Sequence, residues 1–439
     1  MMRRYRVLTV SLFMVTCLVA SGTAVAAQTV DDDAAGDEDA IEDVHVDEEV
    51  ETQEVNWQFG ARIRPRLEAR FNHHFGLDEA ELNYPFQPDQ ADQFTQQSRL
   101  NAQAQRQGLT AFLTLQHAAV WGDFGGDQLT APPLTLYEAR IRYDEPEHFF
   151  VDVGRFELAY GDQRVLGSVG WSQVGRAWDG LRLGFRPGEE VKFDTFVARY
   201  TDGSVDFLGG DSILAGLYAT WQQPVDEVMD SADLYILYDA SQLRLDPMIE
   251  RATIGSRFVF GPGDFDLSAE GAFQFGTDCR LLEEDICEEA SVAAYFADIE
   301  AGYSIAELRP FLGGSIASGD DPDTERIEAY DQLYPTGHAF LGYMDLIGPR
   351  TNLIEVRAGV QGTYEWLNYE VVAHHFRRLQ PQAESVGIEL NTKIFATLTQ
   401  GLNLGVGHGL FIPDDGISAT EASAQGVANW SFAQLVGAF

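Results

Sequence analysis

The chain has 439 residues, a formal net charge of −40 and three cysteines. A surplus of carboxylates on that scale repels a phosphate backbone and argues against nucleic acid as a partner. Beyond the N-terminus no apolar run reaches the roughly eighteen residues of a spanning helix, which excludes a helical membrane bundle. It leaves a membrane barrel open, because alternating strands hardly register in hydropathy.

Residues 1–26 read as a secretory signal peptide. Arg3, Arg4 and Arg6 precede an apolar run from about Val7 to Ala20, and Ala24-Val25-Ala26 supplies a small-x-small cleavage site. Residues 27–55 follow as an acidic tail, expected to be disordered in the periplasm. Its stretch 28–54 holds thirteen carboxylates and neither lysine nor arginine, so it repels itself and has little apolar surface to offset ordering.

The stretch "ARIRPRLEARF", residues 61–71, places Arg62, Arg64, Arg66, Glu68 and Arg70 on one face of a strand. Ala61, Ile63, Leu67 and Phe71 take the other. Pro65 argues against a helix and suggests a bulge in the strand. The same alternation returns in "LTLYEARIRYD", where Glu138, Arg140, Arg142 and Asp144 oppose Tyr137, Ala139, Ile141 and Tyr143, and in "TNLIEVRAGVQGTYEW", where Glu355, Arg357 and Gln361 share a face.

About eighteen candidate strands follow, separated by Gly, Asp, Pro and Ser. They begin near Trp57, Ala91, Leu109, Leu134, Phe149, Trp178, Val191, Ser212, Ala232, Glu250, Asp264, Ser291, Leu308, Asn352, Leu367, Ser385, Gly401 and Val427. Aromatic residues gather at strand ends: Trp57, Phe71, Phe149, Phe150, Tyr364 and Trp366. No linker divides residues 56–439 into sandwich-sized units. The fold class is therefore all-β, a transmembrane antiparallel barrel of about eighteen strands in a bacterial outer membrane, in contact with its lipid. The apolar faces turn to lipid and the arginines to the lumen. The terminal "NWSFAQLVGAF" resembles the signal through which the barrel assembly machinery takes up such proteins.

Of the 24 arginines after residue 26, 14 lie between Arg62 and Arg199, and Lys192 and Lys393 are the only lysines. That bias suits bidentate binding of carboxylates, although genomic base composition gives the same bias. Cys279 and Cys287, eight residues apart in an exported chain, read as one loop disulfide. The loop "SGDDPDTE" offers Asp320, Asp321 and Asp323 as oxygen ligands for a structural calcium, against the simpler reading of a solvated external loop. No other cofactor is expected. An enzyme would rest on Ser315 with His338 or His374, without a nucleophile elbow, and is not the expectation.

Residues 154–183, "GRFELAYGDQRVLGSVGWSQVGRAWDGLRL", resemble the signature of the alginate-export family of outer-membrane porins: Gly154-Arg155, Glu157, Tyr160-Gly161-Asp162-x-Arg164, Gly167, Trp171 and Asp179-Gly180. Residues 318–345 and 387–413 carry further matches, and the resemblance spans roughly 56–439. It implies an eighteen-stranded barrel whose arginine-lined lumen passes an anionic polysaccharide of the polyuronate class, or small anions. The conduit residues would be Arg62, Arg64, Arg66, Arg99, Arg140, Arg142, Arg155, Arg164, Arg182 and Arg357, with Glu138, Glu157 and Glu355 as counter-charges that keep binding weak. A loop inserted near residues 160–178 would favour a pore. The alternative is a structural or gated barrel with a closed, ion-paired lumen.

Overall fold

The computed structural model describes residues 54–439 except 80–81, 83–88, 122–133, 146–147, 201–211, 226, 242–248, 282–286, 381–383 and 421–422. The expected signal peptide and nearly all of the acidic tail lie outside the described residues.

Eighteen strands follow one another: β1 (Asn56–Phe71), β2 (Ala91–Arg106), β3 (Leu109–Val120), β4 (Leu134–Glu145), β5 (Phe149–Phe156), β6 (Trp178–Phe185), β7 (Val191–Tyr200), β8 (Ser212–Val225), β9 (Met229–Ser241), β10 (Ile249–Phe260), β11 (Phe265–Leu281), β12 (Cys287–Tyr303), β13 (Leu308–Ala317), β14 (Leu353–Tyr364), β15 (Leu367–Arg378), β16 (Ser385–Thr399), β17 (Leu402–Pro413) and β18 (Ala428–Ala438). Each pairs antiparallel with the next, and β1 pairs with both β2 and β18, so the sheet closes on itself. Every expected strand start lies within four residues of an observed one, the widest gap being Ser291 against Cys287.

The alternation follows from two solvents. On β1, Ile63 and Leu67 are 42% and 46% exposed on the outer wall, while Arg64 and Arg66 are 2% and 5% exposed inside. A charge turned outward at mid-membrane would cost about 2–4 kcal/mol, which favours turning most strand charges to the lumen. Trp57, Phe71, Phe149, Tyr364 and Trp366 are exposed at strand ends, as the belts require. Phe150 departs from that expectation: it is buried on the inner face, under three arginines.

Pro65 makes no bulge. The β1–β2 register runs through Pro65↔Gln96 without a shift, and the β1–β18 register is the same on both sides of residues 64 and 65. The donor that proline lacks falls on the β18 side, where two rungs drop out and the ladder resumes.

The two ends of the barrel differ. Short turns join β2–β3, β4–β5, β6–β7 and their even-numbered successors, and the chain ends there too, with Phe439 and Ala61 exchanging backbone hydrogen bonds. Longer loops cross the other end, the arrangement in which short turns face the periplasm. Two of them, residues 157–177 between β5 and β6 and residues 318–352 between β13 and β14, fold into the lumen. Two apolar clusters receive them. One holds Leu158, Val165, Leu166 and Tyr330 against β5–β13 residues such as Trp178, Phe196 and Phe296. The other holds Leu341, Met344 and Ile347 against Phe376, Phe411 and Trp430.

Candidate functional site

The basic part of the lumen lies on β1–β6. Its centre is Asp152, a fully buried carboxylate on β5. Arg142 and Arg182 are its neighbours across the ladder on either side, and Arg140 stands one inward step away on β4. Arg140 donates to Asp152 Oδ1 at 2.8 Å. Arg142 grips both carboxylate oxygens, at 2.8 and 2.7 Å, and Arg182 reaches Oδ2 at 3.0 and 2.6 Å. Three guanidiniums therefore share one carboxylate. Phe112 lies under Arg140 at 3.9 Å and Phe150 under Arg142 at 4.3 Å, so the arginines are held flat on an aromatic floor.

On β1 and β2 the arginines have a different task. Arg62 and Arg99 are direct cross-strand partners, an unfavourable pairing of like charges unless something negative comes between them. Arg99 bonds Gln116 at 2.9 Å, lies 3.7 Å from Glu157 and stacks on Tyr137 at 3.8 Å. Arg62 has no ion pair among the described residues. Glu157 accepts a hydrogen bond from Tyr137, and burial, with Glu138 adding to it, raises its carboxyl above the usual range.

Arg64 and Arg66 hold the inserted loop. Arg64 donates to Gly170 O at 2.7 Å, Trp171 O at 3.1 Å, Ser172 O at 2.5 Å and Gln173 Oε1 at 3.1 Å. Arg66 donates to Trp171 O at 2.7 Å, pairs with Glu68 at 2.6 Å and covers one face of the Trp171 ring at 4.0 Å. His338, from the second loop, stacks on Trp171 at 4.1 Å and 8°. The two loops are also joined by a parallel bridge, in which Gly167 N donates to Tyr334 O at 2.8 Å and Tyr334 N to Val165 O at 3.1 Å, and by a separate bond from Thr336 N to Gln163 O at 2.9 Å.

Across the lumen, β11–β16 carry the inverse arrangement. Arg357 bonds Asp298 at 3.0 Å, Glu300 at 2.9 Å and Glu355 at 2.9 Å. It reaches Glu300 by lying across Gly313 on β13, where a Cβ would stand 2.9 Å from the guanidinium. Arg164 ties the first inserted loop to this wall through Asp298 at 3.0 Å and bonds Asp162 at 2.7 Å. Burial works to raise the Asp162 carboxyl, but Arg164 and then Arg257 pull it below the usual range.

Most of the expected conduit arginines thus line the lumen, but they divide by role. Arg62, Arg99, Arg140, Arg142 and Arg182 form a half-buried basic wall, whereas Arg64, Arg66 and Arg164 brace a loop and Arg357 is enclosed by carboxylates. Arg155 does not line the lumen. It lies on the outward face of β5 with Val153, paired to Asp179 at 2.6 Å, because the inward positions around it belong to Asp152, Gly154 and Phe156.

Asp320 and Asp321 accept backbone N–H bonds from Glu328 and Asp323, each at 2.9 Å. Among the described residues no three metal-binding side chains converge, so Asp320, Asp321 and Asp323 are not brought together as a calcium site. Ser315 and His374 both bond Glu355, at 3.4 and 2.7 Å, rather than each other, and His338 bonds Asp345. Cys279 is disulfide-bonded, and the side chain of Cys287 lies outside the described residues. The sequence reading missed Asp152, Asp298 and Glu300. Asp152 had a signal: it is the one charge among the apolar residues of "FFVDV".

Solved outer-membrane proteins share this fold. OccAB1 of Acinetobacter baumannii is 11% identical at a TM-score of 0.60, covering 87% of this chain and 96% of its own. OpdK of Pseudomonas aeruginosa, solved with vanillate, is 12% identical at 0.60, covering 88% and 98%. No curated protein matches the chain. The alginate export family matches residues 55–406, most of the barrel, and the chain belongs to that family of outer-membrane channel proteins.

Proposed function

We propose that the barrel passes an anionic polysaccharide of the polyuronate class, or small carboxylates, along the basic wall of β1–β6. The observation that carries this reading is the group around Asp152: three guanidiniums on one carboxylate leave a net positive surface in the lumen of a protein whose overall charge is −40. A polyuronate bears one carboxylate per sugar. Guanidiniums already held flat can take such a group in a fork without reorganising, and Asp152, Glu138 and Glu157 compete with it so that it leaves again. Small carboxylates are included because the OpdK structure holds one, vanillate.

A gated barrel is the second reading. The two inserted loops, with their apolar clusters, favour it, since they occupy the long-loop half of the lumen.

Bilayer recordings separate the two. The channel is expected to prefer anions by reversal potential and to be blocked by oligo-uronates. Arg142→Ala is expected to weaken both properties. Cation preference would overturn the anionic cargo, and no conductance would favour the gated barrel.

A further inference from the structure

The ion pair that left the lumen has a place of its own. Arg155 is the last residue but one of β5, and Asp179 is the second of β6, so they flank the inserted loop at its two feet. They are direct partners across the ladder. Arg155 Nε and Nη2 meet Asp179 Oδ1 and Oδ2 at 2.8 and 2.6 Å, a bidentate fork, and Nη1 donates to Leu136 O on β4 at 3.2 Å.

The inner face of the same rungs is already full. Phe156 pairs with Trp178, both buried, and Gly154 pairs with Gly180. A Cβ on Gly180 would stand 2.2 Å from Val197 O, and one on Gly154 2.2 Å from Ala139 O. No side chain can be added inside to hold the feet. The outer face is the side left for a directional contact; Val153 and Leu181 are exposed beside the pair, and the one further charge on these rungs is Arg199, the partner of Asp179 on β7. Two opposite charges kept on such a wall, joining the strand that enters the loop to the strand that leaves it, have a positioning geometry.

We propose that Arg155 and Asp179 form a clasp on the outer wall that sets the spacing of the loop's feet, and through it where residues 170–173 lie on Arg64 and Arg66. They are positioning residues for the lumen and touch nothing that passes through it. The clasp does not depend on which solute the channel carries.

The test uses the whole protein in two assays. In bilayers, Arg155→Ala and Asp179→Ala are expected to raise open-channel noise several-fold, with new substates, while the folded barrel keeps its mobility on gels before heating. The reversed pair, Arg155→Asp with Asp179→Arg, made together with Arg199→Gln so that the new arginine meets no like charge across the β6–β7 ladder, is expected to restore the quiet channel. Arg155→Lys keeps the charge but not the fork and should be intermediate; it also serves if the alanine variants fail to assemble. A second readout needs no conduction. A thiol introduced as Gly170→Cys should be labelled several-fold faster by a water-soluble maleimide in the clasp variants, and at the parent rate in the reversed pair. Unchanged noise and labelling in the single variants, or no rescue by reversal, would overturn the clasp. Lower barrel stability with an unmoved loop would do the same.

Discussion

Two hubs face each other across the lumen with their charges exchanged. On β4–β6 one carboxylate, Asp152, holds Arg140, Arg142 and Arg182. On β12–β14 one guanidinium, Arg357, holds Asp298, Glu300 and Glu355. The difference lies in what stands behind each. The three carboxylates have second partners: Arg164 for Asp298, Arg309 for Glu300 at 3.1 Å, and His374 for Glu355 at 2.7 Å. Behind Arg142 and Arg182 no second carboxylate lies within ion-pair distance among the described residues, although Asp194 on β7 acts on both from farther off, and Arg140 has only Glu138 at 3.8 Å. The acidic hub is a closed network. The basic hub keeps unspent charge, which is what an anion in the lumen would meet.

The largest expected effect comes from removing the carboxylate of the basic hub. Asp152→Asn keeps the shape but leaves Arg142 and Arg182 without an ion pair among the described residues. Breaking a buried pair costs about 3–5 kcal/mol, and because these arginines are 13–20% exposed we expect about 3 kcal/mol. Denaturant unfolding of the protein in lipid checks this. Arginine cannot shed its proton, so the loss should be as large in mild acid as at neutral pH.

Arg357→Met should cost less, about 2 kcal/mol, since each released carboxylate keeps another partner. Carboxylates can also escape by taking up a proton, so this loss should shrink as the pH falls. Unfolding curves at neutral and mildly acidic pH, measured on both variants, test the asymmetry. If both respond alike to acid, the two hubs are equivalent and the contrast fails.

How much of this could be read from the chain follows from the range of each interaction. Alternation is local, so "ARIRPRLEARF" and its repeats gave both the strands and the inward face of most arginines. The hubs join neighbouring strands, and the Asp of "FFVDV" was legible as an inward charge once Arg140 and Arg142 were assigned inward. Arg155 was misread because its charge outweighed its position. Counting in twos from Asp152 puts Gly154 and Phe156 inside and Arg155 outside, and the Arg155–Asp179 pair explains why a charge tolerates that face. The work of Arg64 was beyond local pattern, since its acceptors lie 106–109 residues further along the chain. Nothing near Arg64 distinguishes a loop anchor from a lumen charge such as Arg62.

The smallest expected effect sharpens the comparison at its weakest point, the carboxylate of Glu157 beside Arg99 and Arg62. Glu157 begins the inserted loop, and burial, reinforced by Glu138, raises its carboxyl above the usual range. It should therefore take up a proton before ordinary carboxylates as the pH falls, while the arginines stay charged. The basic wall then gains one unit of positive charge, and anion selectivity rises with acidity. A unit charge about 10 Å from a passing ion in a water-like medium is worth about 0.4 kcal/mol, roughly a twofold change in permeability ratio. Glu157→Gln should carry the acid-like ratio at neutral pH and flatten the profile between neutral and mildly acidic pH. If the profile of Glu157→Gln matches that of the parent, the titrating group lies elsewhere, and the basic wall reads anions through its arginines alone.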